Sequence, residues 1–323
     1  MKVLIVGYGS IGKRHVKNLL KIPGVQIIVC TKVPVSSKKN NKRIVFHNNL
    51  KECLEKKPRI GFITNETSKH VKIATILAKK NMDLFIEKPL SHSLKGVKNL
   101  VNIIEKKKLI SQMGCNFRFY PPIQNIKKMI EQKKIGRIIS VQVENGSYLP
   151  DWHPNEDYSK GYAAKKSLGG GIVLTQIHEI DYLYWFFGKI DKVLSVSGKY
   201  SDLNINVEDT SAAILKFHNN IIGELHLDFF QRPQFKRCKI RGTKGIIEWE
   251  SENNKLRVFS SKEKKWKIIK IKNNYKLTSK KKINKMYFEE LTHFLNCIKL
   301  RRSTINPIAE GVETLKIALL IKK

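Results

Sequence analysis

The chain has 323 residues, 41% of them hydrophobic, which is too much length for one core and enough apolar material for two, so two domains are expected. No apolar run reaches membrane-span length, Met1-Lys2-Val3 enters a core strand with no room for a signal peptide, and the cysteines (Cys30, Cys53, Cys115, Cys238, Cys297) form no C-x-x-C pair, which excludes a spanning helix, a disulfide framework and a zinc ribbon and reads as a cytoplasmic protein. A formal charge of +35 raises nucleic-acid binding as an alternative, but the lysines are scattered, as at Lys127-Lys128 and Lys133-Lys134, and read as solvated faces that steer anionic small molecules.

In chain order, Lys2-Val3-Leu4-Ile5-Val6 is a strand-forming run. It stops at Gly7-Tyr8-Gly9-Ser10-Ile11-Gly12, and a helical pattern (Val16, Leu19, Leu20) follows at once. Strand, glycine turn and helix in that order make a dinucleotide-binding unit. Gly7 permits the bend, Gly9 lets backbone approach a pyrophosphate, Gly12 lets the helix pack close, and the N–H groups at Ser10 and Ile11 face the phosphates. The second strand, residues 25–30, ends in Thr31-Lys32. A unit selective for NAD places Asp or Glu about twenty residues after the glycines to hold the ribose hydroxyls. A carboxylate there repels a 2′-phosphate. Thr31 and Lys32, with Ser36, Ser37, Lys38 and Lys39 beyond, tolerate or attract one, so the cofactor is read as NAD(P) with a lean to NADP.

Residues 52–57 suit a helix ending before Pro58, and residues 59–64 a buried parallel strand. Asn65-Glu66-Thr67-Ser68 is expected to cap a helix carrying His70, Ile73, Ala74, Ile76 and Leu77. A strand over 82–86 ends in Glu87-Lys88-Pro89. Ligands of an open parallel sheet bind outside the carboxyl ends of its strands, so Gly7 and Gly9, Thr64 and Asn65, and Glu87 and Lys88 are expected to share one cleft. On pattern alone, Lys88 is as readily a surface lysine before a proline turn. A helix over 94–107 and a strand near 109–114 continue the alternation. A helix over 121–132 and a strand over 137–144 with half-exposed alternation follow, which sets the boundary between domains 1–120 and 121–323.

Gly7-Tyr8-Gly9-Ser10-Ile11-Gly12-Lys13-Arg14-His15, then Glu87-Lys88-Pro89, Asn116-Phe117-Arg118-Phe119 and Leu168-Gly169-Gly170-Gly171 through His178-Glu179-Ile180-Asp181, resemble the ordered motifs of the glucose-fructose oxidoreductase / inositol dehydrogenase (Gfo/Idh/MocA) family over nearly the whole chain. The resemblance implies an α/β protein: an N-terminal Rossmann domain with a doubly wound parallel sheet, and a C-terminal α+β domain on a large, mostly antiparallel sheet that mediates a homodimer or homotetramer. It implies NAD(P)-dependent oxidation or reduction of a hydroxyl or keto carbon in a sugar, sugar nucleotide or cyclitol, with no metal. Cofactor contacts are then expected at Gly7, Gly9, Ser10, Ile11, Gly12, Thr31, Lys32, Thr64, Asn65, His70, Glu87 and Lys88. Substrate contacts are expected at Arg118, Trp152, Tyr162, Lys165, Thr175 and Asp181.

By default, Asp151-Trp152-His153-Pro154 through Tyr162-Ala163-Ala164-Lys165-Lys166 is a surface loop. The resemblance makes it a substrate cover in which Trp152 and Tyr162 stack on a sugar or base and Lys165 and Lys166 meet phosphate or carboxylate. After the glycines, residues 172–187 read as one helix. At about 100° per residue Val173, Ile177, Ile180 and Tyr184 form an apolar stripe, with Thr175, His178 and Tyr182 opposite. A lone helical histidine is ordinarily structural. The resemblance instead makes His178 the acid/base, with Lys88 hydrogen-bonding the reacting oxygen or sharing the proton relay. Many members carry an aspartate in a D-x-G-x-H pattern before this histidine; here Leu174 and Thr175 hold the candidate positions, and Asp181 is the carboxylate left to tune His178 or bind substrate.

Alternating segments at 193–200, 211–217, 221–230, 236–241, 245–250, 256–260 and 265–271 fit the antiparallel sheet, with Phe229-Phe230 as a candidate dimer face. Residues 262–285 are a basic, solvated run, and helices over 286–300 and 308–320 close the chain. The leading reading is an oxidoreductase of an anionic sugar-like substrate, with the Trp152-His153-Pro154 loop and the His178–Tyr182 segment similar to members tied to surface-polysaccharide sugar synthesis. A non-catalytic cofactor-sensing regulator of the same fold is the alternative.

Overall fold

The computed structural model describes residues 1–32, 41–271 and 280–323. Ser36, Ser37, Lys38 and Lys39, and part of the basic run 262–285, lie outside the described residues. The chain divides into two compact units, one of Met1–Cys115 with Tyr287–Leu315, the other of Asn116–Met286 with Lys316–Lys323.

In the first unit, β1 (Lys2–Val6), β2 (Gln26–Cys30), β3 (Ile44–His47), β4 (Ile60–Ile63), β5 (Asp83–Glu87) and β6 (Ser111–Gly114) run in the order β3-β2-β1-β4-β5-β6, parallel at every pairing. Strands covered on both faces need apolar side chains at every position, and β4 and β5 are buried throughout. The helices α1 (Ser10–Leu19), α2 (Leu50–Glu55), α3 (His70–Lys79) and α4 (Val97–Lys106) connect them. Two expectations are corrected. β3 has no counterpart in the sequence reading, because its half-buried Ile44-Val45-Phe46-His47 is set by pairing to β2 at the sheet edge and not by periodicity. The cap expected at Asn65-Glu66-Thr67-Ser68 is absent: a 3-10 turn, Thr67–Lys69, precedes α3, whose N-cap Lys69 makes no side-chain capping bond.

The second unit contains α5 (Pro121–Glu131), β7 (Ile138–Gly146), α6 (Ile172–Thr175), α7 (Ile177–Phe187) and the strands β8 (Ile190–Gly198), β9 (Thr210–Phe217), β10 (Ile222–Asp228), β11 (Phe235–Gly242), β12 (Gly245–Glu250), β13 (Lys255–Ser260) and β14 (Lys265–Ile268). They form an eight-stranded sheet, β14-β13-β12-β11-β7-β10-β9-β8, antiparallel except where β7 and β10 pair in parallel. The single helix expected over 172–187 is broken at Gln176 and buried on nearly every side, so the proposed two-faced pattern does not hold. Phe229 is not a dimer face either. It is fully buried against Trp152, with ring centroids 5.5 Å apart, and only Phe230 is exposed.

The closing helices are α8 (Lys280–Leu300) and α9 (Ile308–Ile321). Tyr287–Leu315 returns to the first unit, which corrects the reading of 121–323 as one continuous domain. The cause is apolar burial: Leu291, Phe294 and Cys297 join Val3, Ile5, Phe62 and Phe85 in one cluster. Arg301 pairs with Asp83 at 2.9 Å, and Thr304 donates to the Ser111 carbonyl at 2.6 Å, fixing the return along the β5–β6 side of the sheet.

Candidate active site

In the first unit the glycine turn sits at the carboxyl end of β1, where the strand order reverses between β2 and β4. Gly7 has φ +104°, and a Cβ on it would lie 2.6 Å from the Asn65 nitrogen. A Cβ on Gly12 would fall 2.2 Å from the Gly7 carbonyl oxygen. Side chains at either place would push the turn apart. At Gly9 the ideal Cβ meets nothing within 4 Å, so its glycine leaves open space in front of the turn. Gly9 is the N-cap of α1, with no side-chain cap and no acidic residue in the first turn, and Ser10 is exposed. Outward N–H groups, open space and no competing carboxylate fit a pyrophosphate.

The neighbouring strand ends converge on this turn. Thr64, almost fully buried, donates its hydroxyl to the Gly7 carbonyl at 2.8 Å, so it shapes the turn. The Asn65 side-chain oxygen is buried with no hydrogen-bond partner, an acceptor still open to a ligand. His70 is corrected from cofactor contact to brace: its Nδ1 lies 2.8 Å from the Pro89 carbonyl and its Nε2 2.9 Å from that of Asn65, with the ring buried. Burial lowers its pKa although both carbonyls pull the other way, so the ring is neutral and its single N–H is donated to one of the two carbonyls, fixing the start of α3 to the β4 loop or to the β5 loop. Glu87 is buried too, and its Oε1 lies 2.7 Å from Nε2 of a wholly buried His15. Lys88 follows, half-exposed, with a cis bond to Pro89. At the end of β2, Thr31 is half-exposed and Lys32 exposed, with no carboxylate between them.

In the second unit, Arg118 and Asp181 hold each other. Arg118 donates Nε to Oδ2 at 2.9 Å and Nη2 to Oδ1 at 2.8 Å, with side chains 0% and 1% exposed. Both are corrected from substrate contacts to a buried ion pair, because neither carries an exposed head. His178 stacks on Phe117, with centroids 5.0 Å and planes 27° apart. Lys236 Nζ lies 5.0 Å from the Phe117 ring centre and bonds Glu179 Oε1 at 2.9 Å. Phe117 therefore contacts an imidazole and an ammonium. Thr175 is buried one turn before His178. In the preceding loop Trp152 is half-buried and donates its Nε1–H to Ser147, while Tyr162, Lys165 and Lys166 retain exposed surface. A Cβ on Gly170 would lie 2.3 Å from the Tyr162 carbonyl, so the glycine run seats this loop.

His15, Lys236 and Glu179 are the polar residues of these clusters that motif reading passed over. His15 carried a usable signal, since it shares the buried stripe of α1 with Gly12, Val16 and Leu19. Among the described residues no group of His, Cys, Asp and Glu is arranged to hold a metal, and no helix is long and apolar enough to cross a membrane.

The family model described as "Oxidoreductase family, NAD-binding Rossmann fold" matches residues 1–115, and that described as "GFO/IDH/MocA C-terminal domain" matches residues 123–248. A levoglucosan dehydrogenase from Pseudarthrobacter phenanthrenivorans is 24% identical over 78% of this chain and 74% of its own. The scyllo-inositol 2-dehydrogenase (NAD(+)) of Bacillus subtilis is 22% identical over 99% and 92%. Among solved structures, a levoglucosan dehydrogenase in complex with NADH superposes with a TM-score of 0.87 at 17% identity, covering 99% of this chain and 95% of that one. A UDP-N-acetylglucosamine 3-dehydrogenase from Acidithiobacillus ferrooxidans gives 0.77 at 16% identity, covering 100% and 96%.

Proposed function

The chain belongs to the Gfo/Idh/MocA family of NAD-binding oxidoreductases, and on that premise we propose that it moves a hydride to or from the hydroxyl or keto carbon of a sugar or sugar nucleotide, with Lys88 and His178 managing the reacting oxygen. The observation that carries this reading is the arrangement at the strand ends of the first unit, where an uncapped glycine turn able to hold a pyrophosphate is braced through Thr64, His70 and Glu87 to the segment bearing Lys88. The nicotinamide supplies the hydride acceptor or donor. The chain supplies the first-turn N–H groups of α1, the Asn65 oxygen, and proton handling. His178, its ring plane fixed by Phe117, takes the hydroxyl proton in oxidation and returns it in reduction. The Lys88 ammonium donates a hydrogen bond to that oxygen and stabilises the charge developing on it.

The finer reading is a lean to NADP, supported by Thr31 and Lys32 where an NAD-selective unit carries an acid. An anionic substrate of surface-polysaccharide synthesis is supported by exposed Lys166 and half-exposed Lys165 beside exposed Tyr162. A homodimer or homotetramer is supported by Leu194, Val196, Ile214 and Ile222, which stand exposed on β8, β9 and β10. The alternative, a cofactor sensor, draws on Leu174 and Thr175, which stand where many members of the family carry an aspartate before His178, and on the high net charge. Following nicotinamide absorbance over a panel of free and nucleotide sugars, with NADH and NADPH compared, tests both. Turnover on at least one substrate with tighter NADPH binding is expected; cofactor binding without turnover favours the sensor, and a clear NADH preference removes the NADP lean.

A further inference from the structure

Glu87 and His15 form an acid–base pair that the proposed chemistry does not use, in surroundings that ordinarily exclude such pairs. His15 is fully buried, with ring centroids 5.3 Å from Phe62 and 5.0 Å from Phe85, and Tyr287 of α8 lies edge-on at 6.2 Å. Its Nε2 meets Glu87 Oε1 at 2.7 Å, while its Nδ1 is buried with no partner, so its anchor is the one N–H given to the carboxylate. On the other side, Gly114 of β6 makes room for that carboxylate: a Cβ there would lie 2.9 Å from Oε2. Other ionisable groups nearby are Arg14, stacked over the Tyr287 ring at 4.4 Å, the fully buried Glu290 of α8, and His70, whose buried ring feels the charge of Glu87. Burial, and then the charge of Glu87, raise the Tyr287 phenol above its ordinary value, so it stays protonated.

A buried carboxylate costs several kcal/mol unless it is paired, and Glu87 is paired with a histidine that is itself packed among aromatic rings. Here the pair joins two elements of direct consequence. His15 lies one turn beyond Gly12 on α1, whose first turn faces the cofactor phosphates, and Glu87 ends β5 immediately before Lys88. Glu87, the last residue of the fully buried β5, is buried, while Lys88 just beyond the strand end is half-exposed. We propose that His15 and Glu87 are positioning residues: their hydrogen bond locks the end of β5 to α1 and so sets where the Lys88 ammonium stands relative to the bound cofactor. Without His15 the carboxylate regains hydration only by swinging out of its buried position, which turns the strand end and draws the Lys88 ammonium to it. This inference rests on the role given to Lys88 under the proposed function.

The test compares His15→Ala, His15→Gln, whose amide can still reach Glu87, and Phe85→Leu, which thins the ring packing around His15 but keeps the bond. His15→Asn, too short to reach, replaces His15→Ala where that variant does not fold. Three quantities are read: kcat and KM on a substrate the wild type turns over, NADH affinity by fluorescence, and the pH at which Lys88 half-reacts in reductive methylation followed by peptide mass spectrometry, which needs no substrate. His15→Ala is expected to lower kcat about 10- to 100-fold with sugar KM within about twofold, and to displace the Lys88 titration. His15→Gln should restore most of both, and Phe85→Leu should leave both near wild type. Unchanged kcat and unchanged Lys88 titration in folded His15→Ala overturn the proposal, as does a Phe85→Leu loss of equal size or a Gln variant no better than Ala. If the wild type turns over nothing, the hydride-transfer reading fails, and the Lys88 titration alone still decides the role of His15.

Discussion

Arg118 and Asp181 sit 63 positions apart and bury two full charges against each other. Such a pair adds little net stability over apolar residues of the same volume, but removing one member strands the other in a low dielectric. Arg118→Ala is therefore expected to cost about 3–5 kcal/mol in urea unfolding, and Arg118→Met with Asp181→Leu markedly less. Equal losses in the single and double variants would contradict the account of the pair. The glycines separate in the same way. A Cβ at Gly9 touches nothing within the protein, so Gly9→Ala should leave Tm unchanged and weaken NADH binding, whereas Gly12→Ala, 2.2 Å from a carbonyl, should lose both. Calorimetry with a cofactor titration reads the two effects; intact affinity in Gly9→Ala would remove the phosphate from this turn.

Among the elements, α8 shows how far local reading extends. Phe294 lies 5.8 Å from Phe62 and 5.6 Å from Phe85, edge-on to both rings. Phe294→Ala should destabilise the first unit by about 3–5 kcal/mol, read by denaturant unfolding, although it lies more than two hundred residues from β1. A loss below about 1 kcal/mol would mean that the helix does not complete this core. The β1–turn–α1 unit was legible because Gly7 and Gly12 are demanded by contacts within a few residues or one neighbouring strand; β4 and β5 were legible as buried, largely apolar runs and the strands β8 to β14 from burial period. β3 was not, because a four-residue edge strand has no period of its own. The break at Gln176 and the return of Tyr287–Leu315 were not, since both follow from packing partners far away in sequence. The site divides likewise: the close approaches at Gly7 and Gly12 follow from the motif, whereas the partners of Thr64, His70, Glu87, Trp152, Arg118 and Asp181 lie where motif spacing cannot reveal them.

At the scale of the molecule, a charge of +35 accompanies a fold whose matched family is enzymatic, and an anionic substrate, if the proposed function holds, would be steered by that excess. The glycine turn by itself argues for a cofactor; the proposed reaction rests on Lys88 and His178 as well. The most direct measurement is the absorbance of the nicotinamide in single-turnover mixing of substrate with cofactor-loaded wild type, Lys88→Met and His178→Ala, each with cofactor binding verified. The account predicts that each substitution slows hydride transfer about 10²- to 10⁴-fold while the cofactor stays bound. Rates near wild type in both loaded variants would contradict it.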